Sequence, residues 1–284
     1  MRPQSTSEAA VPAELADPLE PGGPPDPRDV VFIVGDNLAS RSPAAGLMSL
    51  TALLTGLDNG SVRAPWPVLV PGQGIERYER EIVRGRLRRL GIPESILRDP
   101  PMPPMLGCAE VHKHNPDNVL LAGLDRVADD RFSAALRISD RQEMVLDHAA
   151  SAHVTAAVIT EVVRQMSLAV AERYLLARTG TPRRFILNSL ESSFSRFLLP
   201  LPTRIDYRLE EHVWKGQDRL RFRGRCDLVQ AGASAATGSM DMVVMAESRA
   251  ALIEERQFLE AMPRLAYLGD AAGAPLGDGA FVHH

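Results

Sequence analysis

The sequence contains few of the residues that cross-link a chain or hold a structural metal. Its 284 residues include only two cysteines, Cys108 and Cys226, and neither lies in a C-x-x-C pair. We therefore expect no disulfide framework, no metal site and no cofactor. No run approaches the roughly 18 consecutive apolar residues that a membrane-spanning helix needs. A basic-then-apolar leader is also missing, so we expect a cytoplasmic protein.

The chain also lacks a strong excess of charge of one sign. Lys and Arg number 32 and Asp and Glu number 36, which gives a net charge of -4. A slightly acidic chain is a poor candidate for a dedicated nucleic-acid or membrane binder. Apolar residues make up 45% and charged residues 24%, which is typical of a globular protein long enough to bury a substantial core.

The distribution of proline divides the chain. Residues 1–28 are polar and proline-rich, which predicts a disordered tail. Residues 29–98 alternate between strand and helix patterns and predict a small α/β domain. Residues 99–104 contain four prolines and predict a linker. The elements predicted for the small domain are strands over 30–34 and 67–71 and helices over 44–57 and 76–90.

Residues 105–268 have a different pattern, and residues 269–284 predict a flexible tail. A helix over about 154–177 is apolar nearly all round, which is typical of an enclosed helix. The strands that follow it alternate polar and apolar residues, as in an antiparallel sheet with one wet face. This predicts an α+β hotdog fold, a sheet around a central helix. The other elements predicted here are strands over 106–111, 119–124 and 132–138 and a final helix over 247–262.

The polar residues of the central helix are the candidates for chemistry. Glu161, Arg164 and Gln165 share one face of the helix because they are three and four residues apart. Burying a charge among apolar neighbours is costly unless the charge is paired or used. One interpretation is an intrahelical ion pair between Glu161 and Arg164 that stabilises the helix or a dimer seam. The other is a catalytic site.

Three stretches resemble the A-factor biosynthesis (AfsA-type) hotdog family. In the first, His153 precedes the helix, and Glu161 begins a Glu-x-x-Arg-Gln pattern about two turns later. The other two are the Val-His-Lys segment over 111–116, which leads to an apolar strand, and the strand over 185–191. The resemblance covers roughly residues 105–250. The chain departs from the family in having one hotdog unit instead of two and Thr155-Ala156 in place of Pro-Gly, and residues 30–98 have no counterpart.

The resemblance implies an acyltransferase of γ-butyrolactone signal or specialised-metabolite biosynthesis. Such an enzyme moves a β-ketoacyl group from an acyl-carrier-protein or coenzyme A thioester to a hydroxyl acceptor such as dihydroxyacetone phosphate. Glu161 would act as base, with a pKa raised by its apolar helix; His153 would be a donor and Arg164 an anion binder. The implied substrate-binding residues are Gln165, Thr155, His112, Lys113, Arg184 and Asn188.

A homodimer is expected as well. On one continuous helix, His153 and Glu161 would lie roughly 12 Å apart, so a site shared between two protomers is the simpler arrangement. Pairing would also cover an open sheet edge. The alternatives are a hotdog dehydratase or thioesterase and a non-catalytic acyl-ligand-binding module. A basic cluster is typical of a solvated face or of a surface that docks an acyl carrier protein; its members are Arg84, Arg86, Arg88 and Arg89.

Overall fold

A computed structural model describes residue 26 and residues 29–39, 46–147, 153–176, 182–216 and 218–271. The tail predicted over 1–28 lies outside these residues except for residue 26, and residues 272–284 of the predicted C-terminal tail lie outside them as well. The described chain forms a parallel three-stranded sheet and an antiparallel six-stranded sheet.

The elements follow the chain in this order. The strands are β1 (Val30–Val34), β2 (Leu47–Ser49), β3 (Val68–Pro71), β4 (Leu121–Ala128), β5 (Arg131–Leu136), β6 (Arg183–Phe194), β7 (Arg204–Lys215), β8 (Arg219–Gln230) and β9 (Ala233–Ala246). The helices are α1 (Asp36–Ala39), α2 (Leu50–Asp58), α3 (Arg77–Arg89), α4 (Glu143–Leu146), α5 (Ala156–Val170) and α6 (Glu247–Ala271). Short 3-10 turns lie at Glu94–Ile96, Cys108–Val111 and Pro116–Asn118, and a π-helical turn follows α5 at Ala171–Leu175.

The first sheet has the strand order β2-β1-β3, with all strands parallel. Its core contains Ile33 of β1, Leu53 of α2 and Val83 of α3. The helix predicted over 44–57 is wrong at its start, because residues 47–49 pair with β1. This pairing satisfies the backbone groups of β2 and overrides the local helical periodicity.

A buried glutamine joins this small unit to the larger sheet. The side-chain amide of Gln73 donates to the carbonyl oxygens of Leu136 (3.1 Å) and Leu201 (3.2 Å), and its oxygen accepts the N–H of Ile138 at 2.7 Å. The glycine-rich turn before α3 is therefore a structural junction. Its backbone also bonds across the same boundary, because the N–H of Gly74 donates to Ile138.

The second sheet has the order β4-β5-β7-β8-β9-β6 and is antiparallel throughout. Helix α5 packs on β4, β8 and β9. In a flat sheet β4 and β9 would lie about 19 Å apart, four strand spacings, whereas a helix is only about 10 Å wide. The sheet therefore curves around the helix, and the predicted hotdog fold is confirmed.

Helix α5 begins at a side-chain cap and lies close to the sheet. The hydroxyl oxygen of Thr155 accepts the N–H of Val158 at 3.4 Å, which satisfies one of the free donors of the first turn. Gly238 of β9 allows the close approach, because a Cβ there would lie 2.5 Å from Cγ2 of Val163. Ten of the fifteen residues of α5 are buried, so it is the enclosed helix that the sequence predicts.

The strand predicted over 106–111 is wrong. The carboxylate of Glu110 folds back to accept the N–H of Gly107 at 3.0 Å, and the N–H of Lys113 donates to the carbonyl of Cys108 at 2.9 Å. These bonds close a 3-10 turn in place of a strand. No helix in the described part of the chain has both the length and the apolarity to cross a lipid bilayer.

Candidate active site

Four side chains meet on the polar face of α5. Arg164 binds Glu161 with two parallel hydrogen bonds of 2.7 Å, from Nε to Oε2 and from Nη2 to Oε1. Nζ of Lys113, from the loop before β4, lies 2.8 Å from Oε1 of Glu161. Gln165 donates to the same oxygen at 3.0 Å. The predicted intrahelical pair therefore exists, and a second cation joins it from 48 residues earlier in the chain.

These contacts overturn the raised pKa that was expected for Glu161. Burial by itself raises the pKa of this carboxyl group, but hydrogen bonds from Arg164, Lys113 and Gln165 and the charge of Arg164 outweigh it and lower the pKa to about 2. The carboxylate is ionised at neutral pH and its lone pairs are occupied by donors. Such a group is a poor proton acceptor and a good anchor for the two cations.

Gln165 lies at the base of the group and is fully buried. Its oxygen accepts the N–H of Leu120 at 2.8 Å, and its amide nitrogen donates to the carbonyl of Asn118 at 2.8 Å as well as to Glu161. Both donors and the acceptor of the amide are therefore used within the protein. The structure places Gln165 as a positioning residue that ties α5 to the start of β4, and not as the substrate ligand that was expected.

The two cations of the group have one carboxylate in direct contact among the described residues. Lys113 and Arg164 share the single carboxylate of Glu161, which is 14% exposed, while the cations are 24% and 30% exposed. Hydrogen bonds from Asn118 and Asn115 and the charge of Lys113 lower the pKa of Glu143. Glu143 nevertheless forms no ion pair with Lys113 among the described contacts. Each cation thus keeps an accessible edge beside a half-buried carboxylate.

His153 and Thr155 lie at the N-terminus of α5. The ring of His153 packs on Phe197 with centroids 4.8 Å apart, and Thr155 caps the helix. The described contacts of these residues include none of the three partners of Glu161. No described contact therefore links His153 to the group around Glu161 within one chain. The roles of His153 and Thr155 toward a substrate stay predictions.

His112 lies beside Lys113 and contacts the C-terminal end of the same helix. Its Nε2 is 2.9 Å from Oε1 of Glu172, and its ring meets Phe185 of β6 edge-on with centroids 4.7 Å apart. At the next residue of the helix, Nε of Arg173 donates to Glu110 at 2.8 Å. The sequence did not identify Glu172 as a site residue. An acid near the end of a predicted helix does not indicate that it will contact a histidine 60 residues earlier in the chain.

Arg184 and Asn188, also expected to bind substrate, lie elsewhere. Phe185 faces His112, so its neighbour Arg184 points to the opposite face of β6, where Nη1 binds Glu254 of α6 at 2.7 Å. Asn188 donates to Asp241 of β9 at 2.8 Å. Asp241 alternates with the core residues of β9 and lies on the outer face of the sheet. The structure therefore separates both residues from the group around Glu161.

The basic cluster of α3 is largely neutralised by carboxylates. Arg84 pairs with Glu81 and Asp99. Asp58 binds both Arg86 and Arg89, and Arg88 lies 3.4 Å from Glu94. This pairing favours the solvated-face interpretation over carrier docking at α3. No group of three or more metal-ligating side chains occurs within the ranges that the structure describes.

Comparison with known proteins gives one family and a set of distant structures. The A-factor biosynthesis hotdog domain, AfsA, matches residues 98–246, just over half of the chain. No curated protein matches significantly. Solved structures with similar folds include a variant thioesterase from Pseudomonas aeruginosa (16% identity, 44% of this chain and 81% of that one, TM-score 0.33). Another is AziG from S. sahachiroi (18% identity, 44% and 91%, TM-score 0.33).

Proposed function

The chain belongs to the A-factor biosynthesis hotdog family, and from this membership we propose that it is an acyltransferase acting on acyl thioesters. Family membership supports acyl-thioester chemistry in general. The finer proposal is transfer of a β-ketoacyl group from an acyl carrier protein or coenzyme A to the hydroxyl of a small phosphorylated acceptor such as dihydroxyacetone phosphate. We place this step in the biosynthesis of a γ-butyrolactone signal or a related specialised metabolite.

The observation that carries the proposal is the pair of cations that share Glu161. Lys113 and Arg164 share one ionised carboxylate in direct contact, and Glu143 interacts with Lys113 without an ion pair, so two partly desolvated cations have one direct counter-ion. A partly buried cation without a matched anion is costly. A phosphate group would supply the missing charge, and a planar guanidinium beside an ammonium suits its oxygens.

The proposed reaction is a simple acyl exchange. The acceptor hydroxyl oxygen attacks the thioester carbonyl carbon, the carbon–sulfur bond breaks, and the thiol leaves with one proton. Binding the acceptor phosphate on Lys113 and Arg164 would fix the hydroxyl relative to the thioester, and such orientation removes a large part of the barrier to a two-substrate reaction. Glu161 acts here as a positioning residue that keeps the two cations side by side.

We also propose that two chains form the working unit. Strand β6 is at the end of its sheet, and one edge of its 12 residues is unpaired by the strands that the structure describes. Its exposed apolar side chains include Leu187 and Phe194. An unpaired edge with apolar side chains favours pairing with another strand. Pairing of β6 with its copy would also bring a second His153 into the same particle.

Product analysis tests the reaction. Purified protein is mixed with a β-ketoacyl thioester, with and without dihydroxyacetone phosphate, and the products are identified by mass spectrometry. The proposal predicts the phosphorylated ester in the presence of acceptor. Free acid in both mixtures would indicate a thioesterase, an enoyl thioester would indicate a dehydratase, and tight binding without turnover would indicate an acyl-ligand-binding module.

Substitution of the anchor tests the site. Glu161→Ala removes the shared carboxylate while leaving both cations, so the ester yield should fall at least ten-fold. Glu260→Ala on α6 is the matched control, because Glu260 pairs only with the exposed Arg256 among its described contacts. An unchanged yield for Glu161→Ala would show that the site is assigned to the wrong residues.

A further inference from the structure

A histidine and a glutamate that the proposed reaction has not used form a dyad on the same helix face as the cation pair, about three turns farther along. Nε2 of His112 lies 2.9 Å from Oε1 of Glu172. Their side chains are 34% and 33% exposed, so the pair is neither sealed in the core nor free in solvent. A dyad of this kind is the usual way to hold an imidazole for proton transfer.

Both partners are positioned by uncommon backbone conformations. His112 has a φ of 53° in the left-handed region, a backbone conformation that is strained for a residue with a side chain. Glu172 lies in the π-helical turn Ala171–Leu175, and single π-turns are frequently found at functional sites. Two separate departures from regular backbone therefore meet at a single hydrogen bond.

The contacts also orient the imidazole. Nε2 faces the carboxylate of Glu172, which leaves Nδ1 as the ring nitrogen that has no partner among the described contacts. Phe185 meets the ring edge-on at 85° and restricts its rotation. Glu172 thus determines which ring nitrogen faces the helix, and Phe185 restricts the ring plane, so the imidazole is held in one orientation, as a general base requires.

The position of the dyad matches the chemistry of acyl transfer. Lys113 directly follows His112 in the chain, and their partners Glu161 and Glu172 are eleven residues apart, about three turns along one face of the same helix. The Cα atoms of the two glutamates are therefore roughly 16 Å apart, and an acceptor held by its phosphate on Lys113 and Arg164 would extend along this face toward the imidazole. Glu161 itself is occupied by donors and lacks the basicity for this role.

We infer that His112, oriented by Glu172, is the general base of the acyl transfer; the inference rests on the function proposed above. Nδ1 takes the proton of the acceptor hydroxyl as its oxygen forms a bond to the thioester carbonyl carbon. The carbon–sulfur bond then breaks, and the imidazolium returns the proton to the departing sulfur. The sum is alcohol plus thioester giving ester plus thiol, with no other reactant.

His112→Gly is the decisive variant, because glycine adopts the left-handed φ of position 112 without strain. Thiol release and ester formation are measured for the wild type and the variant, with and without added imidazole. We expect kcat to fall 100-fold or more, KM for the acceptor to change less than about three-fold, and free imidazole to restore at least ten-fold of the lost rate. Glu172→Gln should lower kcat at least ten-fold without rescue by imidazole.

Glu110→Gln is the matched control for a purely structural role of the dyad. It weakens the neighbouring tie between the same loop and the same helix end, Glu110 to Arg173, without touching the imidazole. We expect its kcat to stay within two-fold of the wild type. If Glu110→Gln and His112→Gly lose the same activity and the same thermal stability, and imidazole restores nothing, the dyad is a structural tie and the inference is refuted.

The wild-type reaction separates this inference from the function on which it rests. If the wild type hydrolyses the thioester without esterifying the acceptor, the acyltransferase proposal fails, and loss with imidazole rescue in His112→Gly would still support the dyad as a base for water. If the wild type forms the ester and His112→Gly is equally active, only the dyad fails. A wild type that releases no thiol overturns both.

Discussion

Replacing Glu161 by Gln should expose how strongly the cation pair depends on its shared carboxylate. The change keeps the shape of the side chain and removes the charge that Arg164 and Lys113 share. The pKa of Glu161 falls from 4.5 to about 2, which corresponds to roughly 3 kcal/mol of additional stabilisation of the ionised form. We therefore expect Glu161→Gln to lower the free energy of unfolding by about 3 kcal/mol at pH 7.

The effect should depend on pH in a defined direction. Because the folded pKa of Glu161 is depressed, its contribution is fully present above pH 4.5 and is lost as the pH falls toward 2. At pH 3 roughly three-fifths of it has gone, so the difference between wild type and variant should shrink to about 1 kcal/mol. The other acidic groups titrate in the same way in both proteins, so their contributions cancel in the difference between the two free energies of unfolding.

Urea unfolding followed by circular dichroism at pH 7 and pH 3 measures this difference. Glu254→Gln is the control, since Glu254 binds Arg184 on the surface, and it should cause a smaller loss at pH 7. A difference for Glu161→Gln that is equally large at pH 7 and pH 3 would refute the reasoning, because it would mean that the ionised carboxylate is not what stabilises the group.

Two further substitutions test how the site is held, and a third tests Asp140, a partly buried acid that accepts the N–H of Asn37 in the small unit. Gln165→Leu leaves the N–H of Leu120 unpaired in the core and should cost about 3 kcal/mol of stability, seen as a lower urea midpoint. Gly238→Ala places a methyl group against Val163 and should cost about 1–3 kcal/mol, with partial recovery when Val163→Ala is added. Burial raises the pKa of Asp140 despite the backbone hydrogen bonds that it accepts. The contribution of Asp140 to stability is therefore present at low pH and is lost as the pH rises through this raised pKa. Asp140→Asn should therefore gain stability relative to the wild type at pH 7, and the gain should disappear at pH 3; no change between the two pH values would contradict this.

The sequence predicts the larger unit well because its elements depend on local periodicity. Val158, Val162 and Met166 recur at helical spacing and are fully buried in α5, and the alternating strands after the helix form the antiparallel sheet. The same periodicity places Glu161, Arg164 and Gln165 on one face, where the structure finds them hydrogen-bonded to one another. The small unit is less well predicted, because residues 47–49 form a strand only through their pairing with β1, which the local pattern does not indicate.

The electrostatics of the site could not be obtained from spacing. Whether Glu161 is a base or an anchor depends on Lys113, which a 3-10 turn far away in the chain delivers to it. The dyad of His112 and Glu172 likewise joins residues 60 positions apart. Local patterns identify which residues share a helix face, but the pKa of a group depends on partners that only the folded chain brings near.

The preference for a phosphorylated acceptor tests the central claim most directly. The measurement is the ratio of kcat/KM for dihydroxyacetone phosphate to kcat/KM for dihydroxyacetone, in the wild type and in Lys113→Met, with Arg256→Met on α6 as the control. If Lys113 binds the phosphate, the ratio should fall at least ten-fold in Lys113→Met and stay unchanged in the control. An equal ratio in all three proteins would contradict an anion-binding role for the cations that Glu161 holds.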